Sequence, residues 1–155
     1  MQNKYPKILF VCKGNMYRSQ MAEAIAAKII GKENVKSAGT YTGAADEPEG
    51  LVLKDLSTIF KTGYENFDKF LLFMKERGCD IGENKTKKVT EDLVDWADIV
   101  IDMAEDPYDL ELLQNSKKVT RFEIPNDGTK CALNYENEHI YIEKLINSHD
   151  SIKAL

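Results

Sequence analysis

The stretch that most constrains the fold of this chain is residues 11–19, Val-Cys-Lys-Gly-Asn-Met-Tyr-Arg-Ser. It follows the continuous apolar run of residues 8–11 and leads into a helical pattern over residues 20–26. A short apolar run of this kind is typical of a strand buried in a parallel sheet. The stretch therefore predicts a strand, a tight turn and a helix in immediate succession, with Cys12 at the carboxyl end of the strand.

The same turn has the chemistry of an anion site. A helix start offers backbone N–H groups without partners and the positive end of the helix dipole. The planar guanidinium of Arg18 can hold two oxygens of a tetrahedral oxyanion, and the positive field favours the nucleophilic thiolate of Cys12. Taken singly, a strand-end cysteine is usually a small buried hydrophobe, and Gly14-Asn15 is an ordinary turn. Their combination with Arg18 and Ser19 favours a thiolate in an oxyanion site.

Composition limits the classes of function. A length of 155 residues suits one domain over residues 1–155 with a sizeable core. The net charge of −5 argues against general nucleic-acid binding. No segment approaches the ~20 apolar residues of a membrane span, and residues 1–6 do not begin a signal peptide. These features predict a cytoplasmic protein.

The cysteines and histidines do not suggest a metal site. Cys12, Cys79 and Cys131 are far apart and form no C-x-x-C spacing, so neither a zinc site nor a disulfide framework is expected. His139 and His149 both lie in the C-terminal segment, where we expect solvent-exposed helix positions. No metal and no other cofactor is predicted.

Strand and helix patterns alternate along the rest of the chain. The predicted strands are residues 7–12, 35–40, 98–103 and 118–124. The predicted helices are residues 19–30, 49–60, 67–77, a short helix that follows an N-cap at Thr90, then 107–114 and 135–147, the last with Ile140, Ile142, Leu145 and Ile146 as its apolar positions. Such alternation implies parallel pairing and right-handed crossovers. The predicted fold is an α/β three-layer sandwich whose four-stranded parallel sheet has the order 2-1-3-4, with helices on both faces and the Cys12 turn at its carboxyl edge.

Two motifs carry a resemblance to a known family. The pattern V-C-x-G-N-x-x-R-S at residues 11–19 resembles the active-site loop of the low-molecular-weight protein tyrosine phosphatases, and equally that of the arsenate reductases that share their fold. The Ser-Ala-Gly-Thr of residues 37–40 also recurs in the phosphatase family. The resemblance implies that Ser37 hydrogen-bonds Asn15 and supports the loop. It further implies that Cys12 and Arg18 are catalytic and that phosphate is bound by Lys13, Gly14, Asn15, Met16, Tyr17, Arg18 and Ser19.

The resemblance implies a metal-free reaction through a cysteinyl phosphate, with one carboxylic acid that protonates the leaving group and later activates water. The family takes this acid from an Asp-Pro pair after the fourth strand, whereas residues 124–128 read Ile-Pro-Asn-Asp-Gly. Asn126 stands where the acid belongs, so Asp127 is the favoured candidate after a one-residue shift. Asp106, which precedes a proline, is the second candidate. A third alternative is that neither residue is catalytic.

The expected function is hydrolysis of phosphate monoesters, and phosphotyrosine in protein is implied by resemblance alone. Tyr17 could stack on a substrate ring or simply fill space. Expected ligands are phosphorylated protein or small phosphate esters, and inorganic phosphate, sulfate or arsenate, without nucleic acid or membrane. Arsenate reductase is one alternative, although residues 104–117 lack the resolving cysteines of the thioredoxin-coupled type. A phosphate-binding module without turnover is another. A helical insertion is predicted within residues 45–75, either packed on the core or lining the site, and the oligomeric state is open.

Overall fold

The computed structural model describes residues 5–40, 50–60, 67–104, 111–114, 116–124 and 130–154, with side chains as far as residue 148. The strands are β1 Ile8–Cys12, β2 Val35–Gly39, β3 Ile99–Asp102 and β4 Val119–Arg121. The α-helices are α1 Arg18–Ile30, α2 Leu56–Ile59, α3 Phe67–Glu76, α4 Glu91–Trp96, α5 Glu111–Gln114 and α6 Cys131–Ala154. Among the described residues, no helix is long and apolar enough to cross a membrane.

The four strands form one parallel sheet in the order β2-β1-β3-β4. Ile8 pairs with Val35 on one side and with Ile99 on the other, and Val100 pairs with Val119. All five residues of β1 are buried, as expected for the centre of a sheet covered on both faces. The predicted fold class and strand order are confirmed.

Helices cover both faces of the sheet because successive strand side chains point to opposite sides. Ile8, Phe10 and Cys12 pack into a large core together with buried residues of α1, α3 and α6. Leu9 and Val11 pack on the other face into a smaller core with buried residues of α4 and α5. The sheet is therefore the middle layer of three.

The helix predicted over residues 49–60 is wrong in its first part. The described chain is not helical at residues 50–52, and a 3₁₀ turn over Leu53–Asp55 leads into α2. Gly50 has a φ of +73°, and a Cβ there would lie 2.2 Å from the carbonyl oxygen of Thr86. The Leu51 N–H donates to Thr86 Oγ1 at 2.9 Å. Hydrogen bonds to a neighbouring loop thus replace the first helical turn, although the apolar spacing is helical.

The last helix is longer than predicted and turns a different stripe inwards. It runs over Cys131–Ala154 instead of residues 135–147. Ile142 and Ile146 are buried as expected, but Ile140 is 46% exposed. The buried stripe, which repeats every four residues, is Asn134, Glu138, Ile142 and Ile146. Because the first two of these are polar, the apolar pattern missed the start of the helix and placed Ile140 on the buried face.

Candidate functional site

Residues 12–19, here called the oxyanion loop, connect the carboxyl end of β1 to the start of α1. The carbonyl of Cys12 accepts a hydrogen bond from the Thr40 N–H at 2.8 Å, which extends the sheet pairing to the last residue of the strand. Cys12 is 2% exposed and its thiol lies on the α1 face. The loop therefore begins from a rigid strand at the sheet edge where ligands bind in folds of this kind.

Asn15 sets the shape of the loop. Its φ of 56° is the one positive φ of a non-glycine residue in the described part of the chain. Asparagine tolerates the left-handed region better than most residues. The Asn15 Nδ2 donates to Ser19 Oγ and to Ser37 Oγ, both at 2.9 Å. The Asn15–Ser37 hydrogen bond is the one that the resemblance implied.

The oxygen of the Asn15 side chain is held as well. Asn15 Oδ1 accepts from the Lys87 backbone N–H at 2.8 Å and from Gln20 Nε2 at 3.3 Å. Lys87 and Gln20 were not predicted as loop supports, and no local signal in the sequence marks them. Burial lowers the pKa of the Lys87 ammonium, while Glu23 acts against that shift. Both the nitrogen and the oxygen of the Asn15 side-chain amide thus have hydrogen-bond partners. These contacts, which come from several parts of the chain, hold Asn15 in its left-handed conformation.

The hydroxyl of Ser19 lies within hydrogen-bond distance of the Cys12 thiol. Ser19 Oγ and Cys12 Sγ are 2.9 Å apart, and either atom could donate. Because the Asn15 amide already donates to Ser19 Oγ, the serine is an acceptor in that contact. Its own proton is then available for Cys12 Sγ. The chain Asn15→Ser19→Cys12 can therefore deliver one hydrogen bond to a thiolate.

A second part of the same hydrogen-bond network runs from Asn15 through Ser37. The Ser37 hydroxyl accepts from Asn15 and donates to Glu23 Oε1 on α1. Ser37 lies on β2, which pairs directly with β1. This part of the network connects the loop, the neighbouring strand and the helix, so the sheet register sets the position of Asn15.

Arg18 is the first residue of α1 and is almost fully buried, with 3% of its surface exposed. Its Nη1 donates to the Met103 carbonyl at 3.0 Å and to the Ile124 carbonyl at 3.5 Å. These carbonyls follow β3 and β4, so the guanidinium is anchored at the carboxyl edge of the sheet. A planar cation in that position can interact with an oxyanion bound by the loop.

The variable residues of the loop do not all line its rim. Lys13, Met16 and Tyr17 are half-buried, and the ring of Tyr17 packs against α3. Its centroid lies 5.0 Å from that of Phe67 and 4.8 Å from that of Phe70. Tyr17 thereby fills space between the oxyanion loop and α3, and it connects the predicted insertion to the site.

The candidate acids Asp127 and Asp106, and Asn126 beside the first, lie outside the described residues. Their flanking positions are described: Ile124 is buried at 4% exposed, and Met103 at 1%. The carbonyl oxygens of both residues accept hydrogen bonds from Arg18 Nη1. Ile124, three residues before Asp127 in the sequence, therefore lies beside the guanidinium.

Glu138 is the charged residue near the site that sequence reasoning missed. It lies on α6 with 0% of its surface exposed. Within the described part of the chain, neither of its carboxyl oxygens has a hydrogen-bond partner. Burial raises the pKa of Glu138 well above its usual range; the charge of Cys12 adds to the shift and that of Arg18 opposes it. A glutamate on a helix usually faces solvent, so nothing in the sequence marked this one.

The side chains of Cys79 and His139 make their contacts outside the loop. Burial raises the pKa of the Cys79 thiol. His139 pairs with Glu143 along the surface of α6 at 3.0 Å, and the side chain of His149 lies outside the described residues. Among the described residues, no group of three His, Cys, Asp or Glu side chains could hold a metal ion. The chemistry of the described site is thus that of Cys12, Arg18, Ser19 and backbone N–H groups.

Comparisons with known proteins agree with this geometry. Residues 7–65 match the model of the family described as low molecular weight phosphotyrosine protein phosphatase. The arsenate reductase of Bacillus licheniformis is 35% identical over 103 residues, which are 66% of this chain and 59% of that protein. Two staphylococcal arsenate reductases match over 62% and 64% of their length. The chain thus spans about three-fifths of the curated relatives that it matches.

Solved structures extend the likeness to nearly the full chain. The low molecular weight protein tyrosine phosphatase from T. tengcongensis is 25% identical, with a TM-score of 0.61 over 91% of this chain and 97% of that one. The arginine phosphatase from Geobacillus stearothermophilus, at 20% identity, has a TM-score of 0.67 over 96% of each chain and shows the shared fold. The predicted resemblance is confirmed: the chain is similar to the low molecular weight phosphotyrosine protein phosphatase family over residues 7–65, and it has the fold that tyrosine phosphatases and arsenate reductases share.

Proposed function

We propose that this protein is a cysteine-dependent phosphatase that hydrolyses phosphate monoesters through a cysteinyl-phosphate intermediate, with phosphotyrosine in protein as the substrate class. The observation that carries the proposal is the chain of contacts Asn15→Ser19→Cys12, 2.9 Å at each step. It offers a hydroxyl proton to the sulfur, which stabilises a thiolate before attack and again when it departs from phosphorus. A cysteine that only filled the core would not need such a donor.

In the first step, Cys12 Sγ attacks phosphorus and the ester oxygen leaves. The backbone N–H groups of residues 13–18 and the guanidinium of Arg18 hold the three equatorial oxygens while charge redistributes among them. In the second step, water attacks the cysteinyl phosphate, phosphate is released and the thiolate returns to its hydrogen bond with Ser19. Neither step needs a metal ion.

The leaving group needs a proton, and water must lose one. We propose Asp127 for both roles and Asp106 as the alternative, since each follows a strand at the carboxyl edge of the sheet. Asp127→Asn should then slow phenyl phosphate much more than p-nitrophenyl phosphate, whose leaving group needs little protonation. Asp106→Asn is measured in the same way, and a larger effect of that substitution would assign the acid to Asp106. Equal effects of the two substitutions, or none, would remove Asp127 from the mechanism.

A second candidate function is arsenate reduction, because the curated relatives at 29–35% identity are arsenate reductases. An arsenate oxyanion would suit the same loop. The thioredoxin-coupled reaction, however, needs further cysteines near the nucleophile, and residues 104–117 contain none. Neither Cys79 nor Cys131 takes part in a disulfide within the described part of the chain. These points favour phosphate chemistry, and a cytoplasmic setting that keeps Cys12 reduced belongs to the proposal.

The test is turnover of p-nitrophenyl phosphate by the wild-type protein and by Cys12→Ser, with Cys79→Ser as the matched control. We expect activity in the wild type and in the control, and a loss of at least about a thousandfold in Cys12→Ser. Phosphate binding without turnover at any pH would instead indicate a phosphate-binding module. Thioredoxin-dependent reduction of arsenate would favour the second candidate.

A further inference from the structure

The buried glutamate on α6 has no role in the reaction described above. Glu138 lies between Asn134 and Ile142 on the stripe of α6 that faces the core. Ile142, one turn further along, belongs to the same buried cluster as Cys12 and Met21 of α1. Cys12 from β1 and Arg18 from α1 are the ionisable groups whose charges act on Glu138. The glutamate therefore faces the oxyanion loop from the interior of the protein.

Its burial excludes the role of general acid. An acid that protonates the leaving group must reach an atom at the open side of the loop, opposite Cys12 Sγ. Glu138 has 0% of its surface exposed. It can act on the reaction only through its charge, or the lack of it, on Cys12 and Arg18.

The surroundings of Cys12 and Glu138 differ in the hydrogen bonds that they offer to a negative charge. An ionised Cys12 has the Ser19 hydroxyl at 2.9 Å and the N-terminus of α1 beside it. An ionised Glu138 has no donor among the described residues for either oxygen. A buried carboxylate without hydrogen bonds is far more costly than a buried carboxylic acid. A protonated Glu138 is thus favoured over an ionised one.

We propose that Glu138 is a positioning residue that holds a proton behind the oxyanion loop and so leaves the charge of Arg18 available to the bound oxyanion. Ionised, it would oppose an anionic ligand and compete for the guanidinium. Protonated, it adds no charge to the site. The proposal rests on the oxyanion-loop part of the proposed function and does not require turnover.

The proposal predicts a coupling between ligand and proton. A bound phosphate is a second negative charge that raises the affinity of Glu138 for its proton, and by reciprocity loss of that proton weakens phosphate binding. The loss appears only above the pH at which Glu138 ionises in the folded protein. Glutamine has the same shape and no ionisable proton, so Glu138→Gln should bind phosphate as the wild type does while Glu138 holds its proton, and better once the wild-type glutamate has ionised.

The test measures dissociation constants for inorganic phosphate between pH 6 and 10 for wild type, Glu138→Gln and Glu136→Gln, the last an exposed glutamate on the same helix. We expect equal constants at pH 6. Once Glu138 ionises with rising pH, wild type and Glu136→Gln should bind roughly tenfold more weakly than Glu138→Gln, which is the effect of one unit of pKa coupling. Identical pH profiles in all three proteins would overturn the proposal, and so would weaker binding by Glu138→Gln at pH 6.

A second measurement does not depend on the folding of Glu138→Gln. In the Cys12→Ser variant the thiolate is absent, and calorimetry of phosphate binding at pH 9 in buffers of different ionisation enthalpy counts the protons taken up. Uptake of a substantial fraction of one proton supports the proposal, and no uptake contradicts it. If phosphate does not bind at all, the proposal that residues 12–19 bind an oxyanion is contradicted, whatever the state of Glu138. The pH dependence of unfolding then tests separately whether Glu138 holds a proton.

Discussion

The left-handed backbone of Asn15 allows the oxyanion loop to be tested by comparing two substitutions. Asn15→Ala keeps a Cβ at a φ of 56° and removes every side-chain contact of the residue. Asn15→Gly removes the same contacts but relieves the backbone strain. The difference between the two variants therefore isolates the cost of the loop conformation from the cost of its hydrogen bonds.

The expected magnitude follows from the contacts. Either substitution removes two hydrogen bonds donated by Asn15 Nδ2 and one of 2.8 Å accepted by Asn15 Oδ1, all of them buried. At about 1 kcal/mol for each net hydrogen bond, this amounts to roughly 3 kcal/mol of unfolding free energy. Alanine adds about 1–2 kcal/mol of left-handed strain. Glycine avoids the strain, but the greater flexibility of its unfolded chain lowers the free energy of unfolding by about 0.5–1 kcal/mol.

The free energy of unfolding of Asn15→Ala should therefore lie about 4–5 kcal/mol below that of wild type, with Asn15→Gly roughly 0.5–1 kcal/mol more stable than Asn15→Ala. Urea unfolding followed by circular dichroism gives both values, and inorganic phosphate binding reports on the loop itself. Asn84→Ala, whose amide makes a contact of 3.2 Å with Gln20, is the control. An alanine variant as stable as wild type, or one more stable than glycine, would refute the strain argument.

Three further predictions concern other parts of the site. Ser19→Ala removes the donor to Cys12 Sγ and should lower kcat for p-nitrophenyl phosphate about tenfold or more, whereas an unchanged kcat would contradict its role. Tyr17→Ala removes the packing on α3 and should cost about 2–3 kcal/mol in urea unfolding, while Tyr17→Phe keeps it; equal stabilities of the two variants would mean that the ring contacts contribute little. Because the pKa of Glu138 is raised in the folded state, the wild type loses stability as pH rises above the unfolded value of about 4.5. Relative to Glu136→Gln, Glu138→Gln should gain about 1.4 kcal/mol for each pH unit until Glu138 ionises in the folded protein, and a constant difference would contradict the raised pKa.

Local sequence patterns predicted the sheet because its signals are local. Continuous apolar strands such as residues 8–11, separated by helical patterns, lead to parallel pairing and to the order 2-1-3-4. The oxyanion loop could be predicted for the same reason, because its residues 12–19 are contiguous in the sequence and their side chains are chemically distinctive. The Asn15–Ser37 contact came from family resemblance, because strand-end serines are common and most have no such partner.

The rest depends on tertiary contacts that leave no local trace. The chain near Gly50 is not helical because Leu51 hydrogen-bonds Thr86, although the apolar spacing there is helical. Lys87 supports Asn15 through its backbone N–H, which any residue but proline could supply. Glu138 faces inwards because α6 presents a four-residue stripe that includes polar side chains, whereas an apolar pattern selected Ile140 instead. The predicted helical insertion within residues 45–75 stays a prediction.

The central claim is that Cys12 forms a covalent bond to phosphorus in the oxyanion loop. The most direct measurement is rapid acid quench of the protein during turnover of p-nitrophenyl phosphate, followed by mass spectrometry of the peptide that contains residues 12–19. The account predicts a phosphoryl group on Cys12 during turnover, and none in Cys12→Ser. Turnover with no phosphoryl group on Cys12, or with one on another residue, would contradict it.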